Sequence, residues 1–420
     1  MELTPQSVLR RLPDLRVHIC PNDEVQVCTD GREITCNAHG LAILDAFAKP
    51  TPLAEALKRL HSRLAGTQDW VDLTSDIVQL HKAGILQGET QINPTLPAEP
   101  WSFDSLAIHV KMLNDRTRTS QFLTSIQEVV RPDNVVVDLG TGTGILAVAA
   151  ARAGARHVYA IEAGRIGQTA RTLFAANGVA SQITLVEGWS SQVSPPERAD
   201  VLVSEIIGNE PLGERVLEVT VDAVRRWLKP DAKLVPHRLK IYGLAVTIPP
   251  AVLKKQTAVP ATLRQWADWY HMDFSPLAEA ARPHSAVFYL APQRARKWRT
   301  LGDPILLAEV DFKTMGHLVI DQTTTFTAMT AGRFNGLLVY FDLELSPTRH
   351  LSTHPAAADA ECSWRNPVWL LADSFTVRAG EEFAVTYRYG VAGARGRVSV
   401  TKNDPHMSYT KKAEALWLSP

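Results

Sequence analysis

Residues 135–162, VVVDLGTGTGILAVAAARAGARHVYAIE, limit what this chain can fold into more than any other stretch. The apolar run Val135 to Val137 reads as a buried strand ended by Asp138. Gly140, Gly142 and Gly144 then make a tight turn. Ile145 to Ala153 read as a helix rich in Ala and Leu, stopped by Gly154, the residue that most easily takes the left-handed conformation after a helix. His157 to Ile161 form a second apolar run, which ends in Glu162. Strand, crossover helix and strand in this order give a parallel pair with the glycine turn at its carboxyl end. Glycines there let the backbone come close to a ligand, and a carboxylate at the second strand's tip can accept both hydroxyls of a ribose.

Two nucleotides compete for such a turn. A dinucleotide fingerprint, G-x-G-x-x-G, would need glycine at 145, where this chain has Ile145; it has Gly144 instead. A dinucleotide also brings an anionic pyrophosphate, which Asp138 would repel. S-adenosylmethionine carries no phosphate, and its amino group and sulfonium are cationic. The turn is therefore assigned to S-adenosylmethionine, with Asp138, Gly140, Gly142 and Glu162 as cofactor residues. A turn that only packs strand on helix would account for the glycines but not for the two acids.

At 420 residues the chain exceeds one compact core, so two or three domains are expected. Lys and Arg total 44, as do Asp and Glu, leaving no bulk basic field for nucleic acid. No apolar run is long enough for a bilayer, and the start, MELTPQSVLRRLPDLRVHIC, lacks the apolar core of a secretion signal, so a cytoplasmic location is expected. Cys20, Cys28 and Cys36 lie eight apart without a C-x-x-C pair and read as small core residues rather than metal ligands.

Residues 1–92 read as a small α+β domain. Strands Leu15 to Ile19, Glu24 to Cys28 and Glu33 to Asn37 precede helices Gly40 to Ala48, Leu53 to Leu64 and Leu73 to Ala83. Gln91 to Pro100, with three prolines, reads as a linker. The nucleotide unit fills 101–236. From 237 to 420 the pattern becomes short alternating strands (Leu306 to Phe312, Thr324 to Met329, Leu337 to Leu345, Val368 to Leu371, Phe383 to Tyr389, Gly396 to Thr401), expected to form an antiparallel barrel or sandwich. Thr262 to Ala281, with Trp266, Trp269, Tyr270 and Phe274, interrupts it and reads as an interface arm near 255–285.

A second motif follows the nucleotide turn. Val201 to Ser204 read as the fourth parallel strand, and Glu205 stands at its carboxyl end, where open α/β sheets bind ligands. Gly208 and Pro211 turn the chain, and Glu214 comes nine residues after Glu205. Two carboxylates on one loop beside a methyl donor suit a guanidinium, which is planar, always charged and forked to match carboxylate oxygens. Pairing would draw positive charge from one terminal nitrogen and free its lone pair for attack. Glu210 lies between the two acids.

These residues resemble the protein arginine methyltransferases. That family carries S-E-x-x-G with a second glutamate nine residues after the first, matched here by Ser204, Glu205, Gly208 and Glu214. Ile108-His109 and Met112-Leu113-Asn114-Asp115-Arg116-Thr117-Arg118-Thr119 resemble its I-H-x-x-M-L-x-D-x-x-R-T helix. The resemblance implies that Arg118 holds the cofactor carboxylate and that Met112 lines the space near the transferred methyl. Cys362-Ser363-Trp364 resembles the family's Thr-His-Trp loop, which implies that Ser363 and Trp364 border the substrate pocket. Ser190 and Ser191 fall on the adenine side, Ser191 where the family has a glutamate, and Phe103 stands nearest the family's paired tyrosines. The aromatic stretch falls at the family's dimerisation arm, implying a homodimer. The order of elements in 1–92 resembles PqqD-like winged-helix peptide-recognition domains. The fold expected is thus a winged-helix-like α+β domain, a Rossmann-like class I methyltransferase domain and a β-barrel with a dimerisation arm.

The remodelled loop and missing tyrosines lean the substrate toward free L-arginine or a small guanidine of natural-product biosynthesis. The alternatives are a peptide or protein recruited by the N-terminal domain, and a scaffold that kept the fold without the chemistry. Intact Arg118, Glu162, Glu205 and Glu214 oppose the scaffold.

Overall fold

The computed structural model describes residues 3–12, 15–20, 24–29, 32–61, 64, 66–88, 103–193, 196–258, 260–280, 287–316, 318–390, 393–402 and 412–415. The chain divides into two compact units, Met1–Pro97 and Ala98–Pro420. The expected linker, Gln91 to Pro100, lies outside the described residues.

In the first unit, strands Arg16–Ile19, Val25–Thr29 and Arg32–Cys36 form one antiparallel sheet in that order. Helices Gly40–Ala46, Leu53–His61 and Thr67–Lys82 follow. A strand not foreseen in the sequence, Val8–Arg11, lies between Thr51–Pro52 and Leu86–Gly88 in a second small sheet. Cys36 is buried with Leu9, Val25, Ile43 and Leu73, and burial pushes its thiol up to about 12, which suits packing rather than ligation. Among the described residues no group of three or more His, Cys, Asp or Glu could hold a metal.

The second unit begins with helices Leu106–Asn114 and Arg116–Val129 and then builds a five-stranded parallel sheet. Its spatial order is Leu228–Val235, Ala199–Ser204, Val135–Leu139, His157–Glu162, Ile183–Glu187. The strand Val135–Leu139 is fully buried, which is why it reads as an unbroken apolar run. It extends past Asp138, so that acid lies within the strand rather than ending it. Strand order reverses beside Val135–Leu139, and such a switch point opens a crevice at the carboxyl ends. Leu139 stands level with Ile161 on one side and Ser204 on the other. The residues one step further, Gly140, Glu162 and Glu205, therefore leave the sheet in one row.

The remainder departs from a closed barrel. One sheet runs Val287–Leu290, Asn366–Val377, Gly332–Ser346, Arg238–Thr247, Arg299–Thr300, with Ile305–Asp311 also pairing to Arg238–Thr247 and Arg349–Ser352 to Gly332–Ser346. A second holds Ile320–Thr327, Glu382–Gly390, Gly393–Lys402 and Lys412–Ala415. Among the described residues no backbone ladder joins the two sheets. Aromatic packing joins them instead: Phe326 and Phe383 of the second sheet meet Phe334 and Phe375 of the first, with ring centroids 5.8 Å (Phe326–Phe334), 5.6 Å (Phe334–Phe383) and 5.4 Å (Phe375–Phe383) apart. Side chains of this size hold the faces together at a spacing that strand-to-strand hydrogen bonds cannot cross. The same hydrophobic cluster continues into the parallel sheet through Leu239, Ile241 and Trp227. Among the described residues no helix is long and apolar enough to cross a membrane.

Helix Arg116–Val129 is tied to the first antiparallel sheet at its far end. Glu128 accepts hydrogen bonds from Ser346 Oγ (2.6 Å), Thr348 Oγ1 (2.7 Å) and Arg349 Nε (2.9 Å). These bonds hold its carboxyl down at about 2, below the usual carboxylate range. A lowered folded-state pKa stabilises the fold fully above the unfolded value, near 4.5, and that contribution is lost as pH falls toward about 2. In denaturant unfolding measured across pH, Glu128→Gln is expected to be less stable than the native chain at neutral pH. The gap should close between about pH 4.5 and about pH 2; a gap constant with pH would show that the carboxylate is not the anchor.

Candidate active site

The glycine turn forms the first wall of the site. Gly140 (φ +74°) and Gly142 (φ +55°) are left-handed, a conformation that costs other residues about 1–2 kcal/mol. Space also demands glycine: a Cβ at Gly142 would come 2.9 Å from His109 Cε1, and one at Gly140 would come 2.7 Å from Ile206 Cγ2. His109 is buried there, and a 2.7 Å hydrogen bond joins its Nε2 to the Phe103 carbonyl. Glu162 accepts from the Gly142 N–H (2.8 Å) and the Gly164 N–H (2.7 Å), which fix its carboxylate at the strand tip. Asp138 is wholly buried and accepts from Thr141 Oγ1 at 2.5 Å. Burial pushes its carboxyl up to about 7, against the pull of that hydrogen bond.

The second wall gathers around Arg118. Asp115 caps helix Arg116–Val129, accepting from the Arg118 N–H at 3.0 Å. This places the Arg118 side chain at the carboxyl end of the sheet, where it forms a buried ion pair with Glu205. The guanidinium also lies 5.2 Å from the centre of the Trp364 ring, and its Nη2 is 3.8 Å from Met112 Sδ. Burial lowers Arg118 to about 10, which still leaves it charged at neutral pH. Removing either member would leave a buried charge alone, a loss of about 3–5 kcal/mol.

The loop Cys362 to Arg365 closes the site. Ser363 donates to Asp115 Oδ2 through its N–H (2.7 Å) and its hydroxyl (3.0 Å). Trp364 Nε1 donates to the Ile207 carbonyl at 2.7 Å, and the Arg365 N–H donates to Asn209 Oδ1 at 2.7 Å. The loop is thus bonded both to the helix cap and to the acidic loop.

Glu214 returns over Gly208, where a Cβ would meet Glu214 Oε1 at 2.6 Å. Glu214 is exposed to water, and surrounding protein pushes its carboxyl up to about 7. Glu210 faces another way: it accepts from the Tyr289 hydroxyl at 3.4 Å, and burial raises it to about 7. Ser190 is half-buried and its carbonyl accepts from Arg226 Nη2 at 2.5 Å, while Ser191 is exposed.

Among the residues singled out in the sequence, Met112, Arg118, Glu205 and Trp364 come together, with Ser363 one hydrogen bond behind. Asp138, Gly140, Gly142 and Glu162 form the nucleoside side. The sequence reading gave no role to Asp115, His109 or Asn209. Asp115 was within reach, since an aspartate just before a helix is a capping signal. His109 and Asn209 act through partners distant in sequence and left no local trace.

The site fits S-adenosylmethionine on structural grounds. Asp138 Oδ1, Arg118 Nε, Ser204 Oγ and Glu205 Oε1 are buried without hydrogen-bond partners. Buried polar atoms of this kind are normally satisfied, and a zwitterionic, sulfonium-bearing ligand supplies both donors and acceptors. A parallel sheet with this glycine turn, ribose acid and unpaired polar rim defines an S-adenosylmethionine-dependent methyltransferase.

Comparison with known proteins narrows that class. Residues 115–235 match the profile of the ribosomal protein L11 methyltransferase (PrmA), and residues 251–413 match the arginine methyltransferase oligomerization subdomain. Protein arginine N-methyltransferase 1 of Schizosaccharomyces pombe is 30% identical over 297 residues, 68% of this chain and 83% of the relative. The probable histone-arginine methyltransferase 1.4 of Arabidopsis thaliana is 34% identical over 281 residues, 64% of this chain; the chain spans 52% of that relative's length. The Trypanosoma brucei PRMT1 enzyme-prozyme heterotetrameric complex with AdoHcy shares the fold, with a TM-score of 0.63 and 23% identity over 75% of this chain and 99% of that one. The chain belongs to the protein arginine N-methyltransferase family.

Proposed function

We propose that this chain methylates arginine side chains in a peptide or protein. The observation that carries the arginine assignment is internal: a guanidinium, that of Arg118, already rests on Glu205 and beside the Trp364 ring. The surface that accepts this group has the charge and planarity to accept a second one from a substrate. The preference for free arginine read from the sequence is set aside. It rested partly on Ser363 remodelling the loop, yet Ser363 anchors that loop to Asp115 through two hydrogen bonds. The relatives, moreover, are named for protein and histone substrates.

The cofactor, when bound, supplies an electrophilic methyl on a sulfonium. In the proposed mechanism Arg118 holds its carboxylate, Glu162 its ribose hydroxyls and Met112 lines the approach. Glu205 and Glu214 hold the substrate guanidinium and draw charge onto the nitrogens they touch. The remaining nitrogen, richer in electron density, would be the one presented to the cofactor's methyl, and Glu214 would take the proton that it sheds. A carboxyl pushed up to about 7 is well matched to receive it. Glu205→Gln keeps the shape but not the charge. Transfer of a labelled methyl group to an arginine peptide is expected to fall about 10²–10³-fold, the scale of losing one preorganised electrostatic partner. Cofactor binding by calorimetry should persist. Undiminished transfer would remove the clamp.

We also propose that the chain works as a homodimer. Helix Pro260–Tyr270 and the residues just after it carry an apolar surface on which Trp269, Tyr270 and Met272 are more than half exposed. Sedimentation velocity should give the mass of two chains, reduced to one by Trp269→Ala with Tyr270→Ala; a one-chain mass for the native protein would end this reading.

Residues 1–92, in this proposal, recruit the peptide in the manner of winged-helix-like recognition domains. Strand Arg16–Ile19 is exposed along its length and, among the described residues, pairs on one side only, with Val25–Thr29, so an extended peptide can add to its other edge. Ile19 is 69% exposed. Ile19→Asp is expected to raise the KM for a long peptide several-fold with kcat held, an unchanged KM counting against recruitment.

A further inference from the structure

The acidic loop carries a third glutamate, Glu210, for which the mechanism above has no use. Glu210 precedes Pro211, which disfavours helical backbone at 210 and turns the chain. Leu212 then enters the core. The Glu210 carbonyl accepts from the Gly213 N–H at 2.8 Å and closes the turn. The turn is tight at both of its glycines. A Cβ at Gly213 would stand 2.9 Å from the Glu210 carbonyl oxygen and 3.3 Å from the Glu210 Cβ. A Cβ at Gly208 would stand 3.6 Å from that oxygen and 2.6 Å from Glu214 Oε1. The Glu210 backbone and the Glu214 carboxylate therefore lie over the same glycine, and the course of the chain at 210 decides where Glu214 lands.

The Glu210 side chain meets the antiparallel sheets. Its Oε1 accepts from the Tyr289 hydroxyl at 3.4 Å, and Tyr289 lies on strand Val287–Leu290. Tyr387 of the second sheet stands near; burial first, and the Glu210 carboxyl after it, keep the Tyr387 hydroxyl protonated. Leu290 pairs with Asn366, the residue that follows loop 362–365. The acidic loop is thus bonded at three points to loop 362–365 and the strand beside it. The Ile207 carbonyl takes Trp364 Nε1, Asn209 Oδ1 takes the Arg365 N–H, and Glu210 takes Tyr289. Of the three, only the Glu210 bond is made within the turn 210–213 itself. A carboxyl withdrawn from water costs more than an apolar side chain of the same size, so its place here points to what it holds.

We propose that Glu210 is a positioning residue: through Tyr289 it holds the turn 208–213 in the course that returns Glu214 over Gly208 to the substrate guanidinium. The inference rests on the reading of Glu214 given above. Glu210 itself does not touch the substrate. The role calls for an acceptor oxygen at the reach of a glutamate and not for a charge, and glutamine supplies that oxygen. A clamp whose acids are held by hydrogen bonds from behind keeps its geometry before the substrate arrives.

The test measures labelled-methyl transfer to an arginine peptide, and cofactor Kd by calorimetry, on the full chain and its variants. Glu210→Leu and Tyr289→Phe are each expected to lower kcat about 10- to 100-fold, the scale of a displaced catalytic group, with cofactor Kd unchanged. Glu210→Gln should keep a near-native kcat. Glu210→Leu with Tyr289→Phe should be no worse than either alone, because both remove one bond. Glu210→Leu added to Glu214→Gln should cost nothing beyond Glu214→Gln. A native-like kcat in Glu210→Leu and Tyr289→Phe overturns the inference. So does a Glu210→Gln as impaired as Glu210→Leu, which would give Glu210 a role through its charge, and so does a cofactor affinity that falls in step with kcat, the mark of a general fold defect. Tyr289→Phe removes one hydroxyl and leaves the loop's own sequence intact, so a poorly folding Glu210→Leu cannot hide the answer. Native-rate transfer by Glu214→Gln removes the Glu214 reading and this inference together; an impaired Glu214→Gln beside a native-like Glu210→Leu removes this inference alone.

Discussion

The site is assembled around the Arg118–Glu205 ion pair and the Trp364 ring beside it. Each member comes from a different layer: Arg118 from the first turn of a helix, Glu205 from the end of a parallel strand, Trp364 from a loop of the antiparallel region. Loop 362–365 is hydrogen-bonded to Asp115 on one side and to Ile207 and Asn209 on the other. A shift of any one layer would separate charges that are buried, and uncompensated buried charge is among the costliest defects a fold can carry. The pair therefore fixes the layers as much as the layers fix the pair.

The same region concentrates acids in surroundings that resist their ionisation. Asp138, Glu210 and Glu214 are all raised to about 7, each chiefly by burial. A fold optimised for stability alone would not keep such groups, together with four unpaired polar atoms, at one end of a sheet. Their cost is offset by the large shared core beneath, which runs without a break from Phe122 to Val400. The unsatisfied polar atoms of Asp138, Arg118, Ser204 and Glu205 at one end of the sheet mark it as the place where ligands complete the structure.

Much of the nucleotide half was legible in the sequence. The glycines at 140 and 142, the helix from Ile145, the strand ending at Glu162 and the strand before Glu205 all appear where residue pattern places them. The antiparallel half was less so. Strand Arg238–Thr247, which pairs with three neighbours, went unrecognised, because RLKIYGLAVT passes from alternation into an unbroken apolar run. The closed barrel was an overreach: strand periodicity shows which face is buried, not whether the last strand bonds to the first. The bond by which Ser363 ties its loop to the helix cap was illegible for a related reason, since its partner Asp115 lies 248 positions away.

By itself the sequence determined the cofactor turn and the spacing of its acids. Glycines with positive φ, strand runs and helix stops are set by interactions within a few residues, and these leave a pattern in the chain. Only the tertiary structure decided that Arg118 sits on Glu205 and that Ser363 bonds to Asp115. Each of these joins residues far apart along the chain, through the packing of whole sheets against one another, and no local run of amino acids encodes where two such surfaces meet.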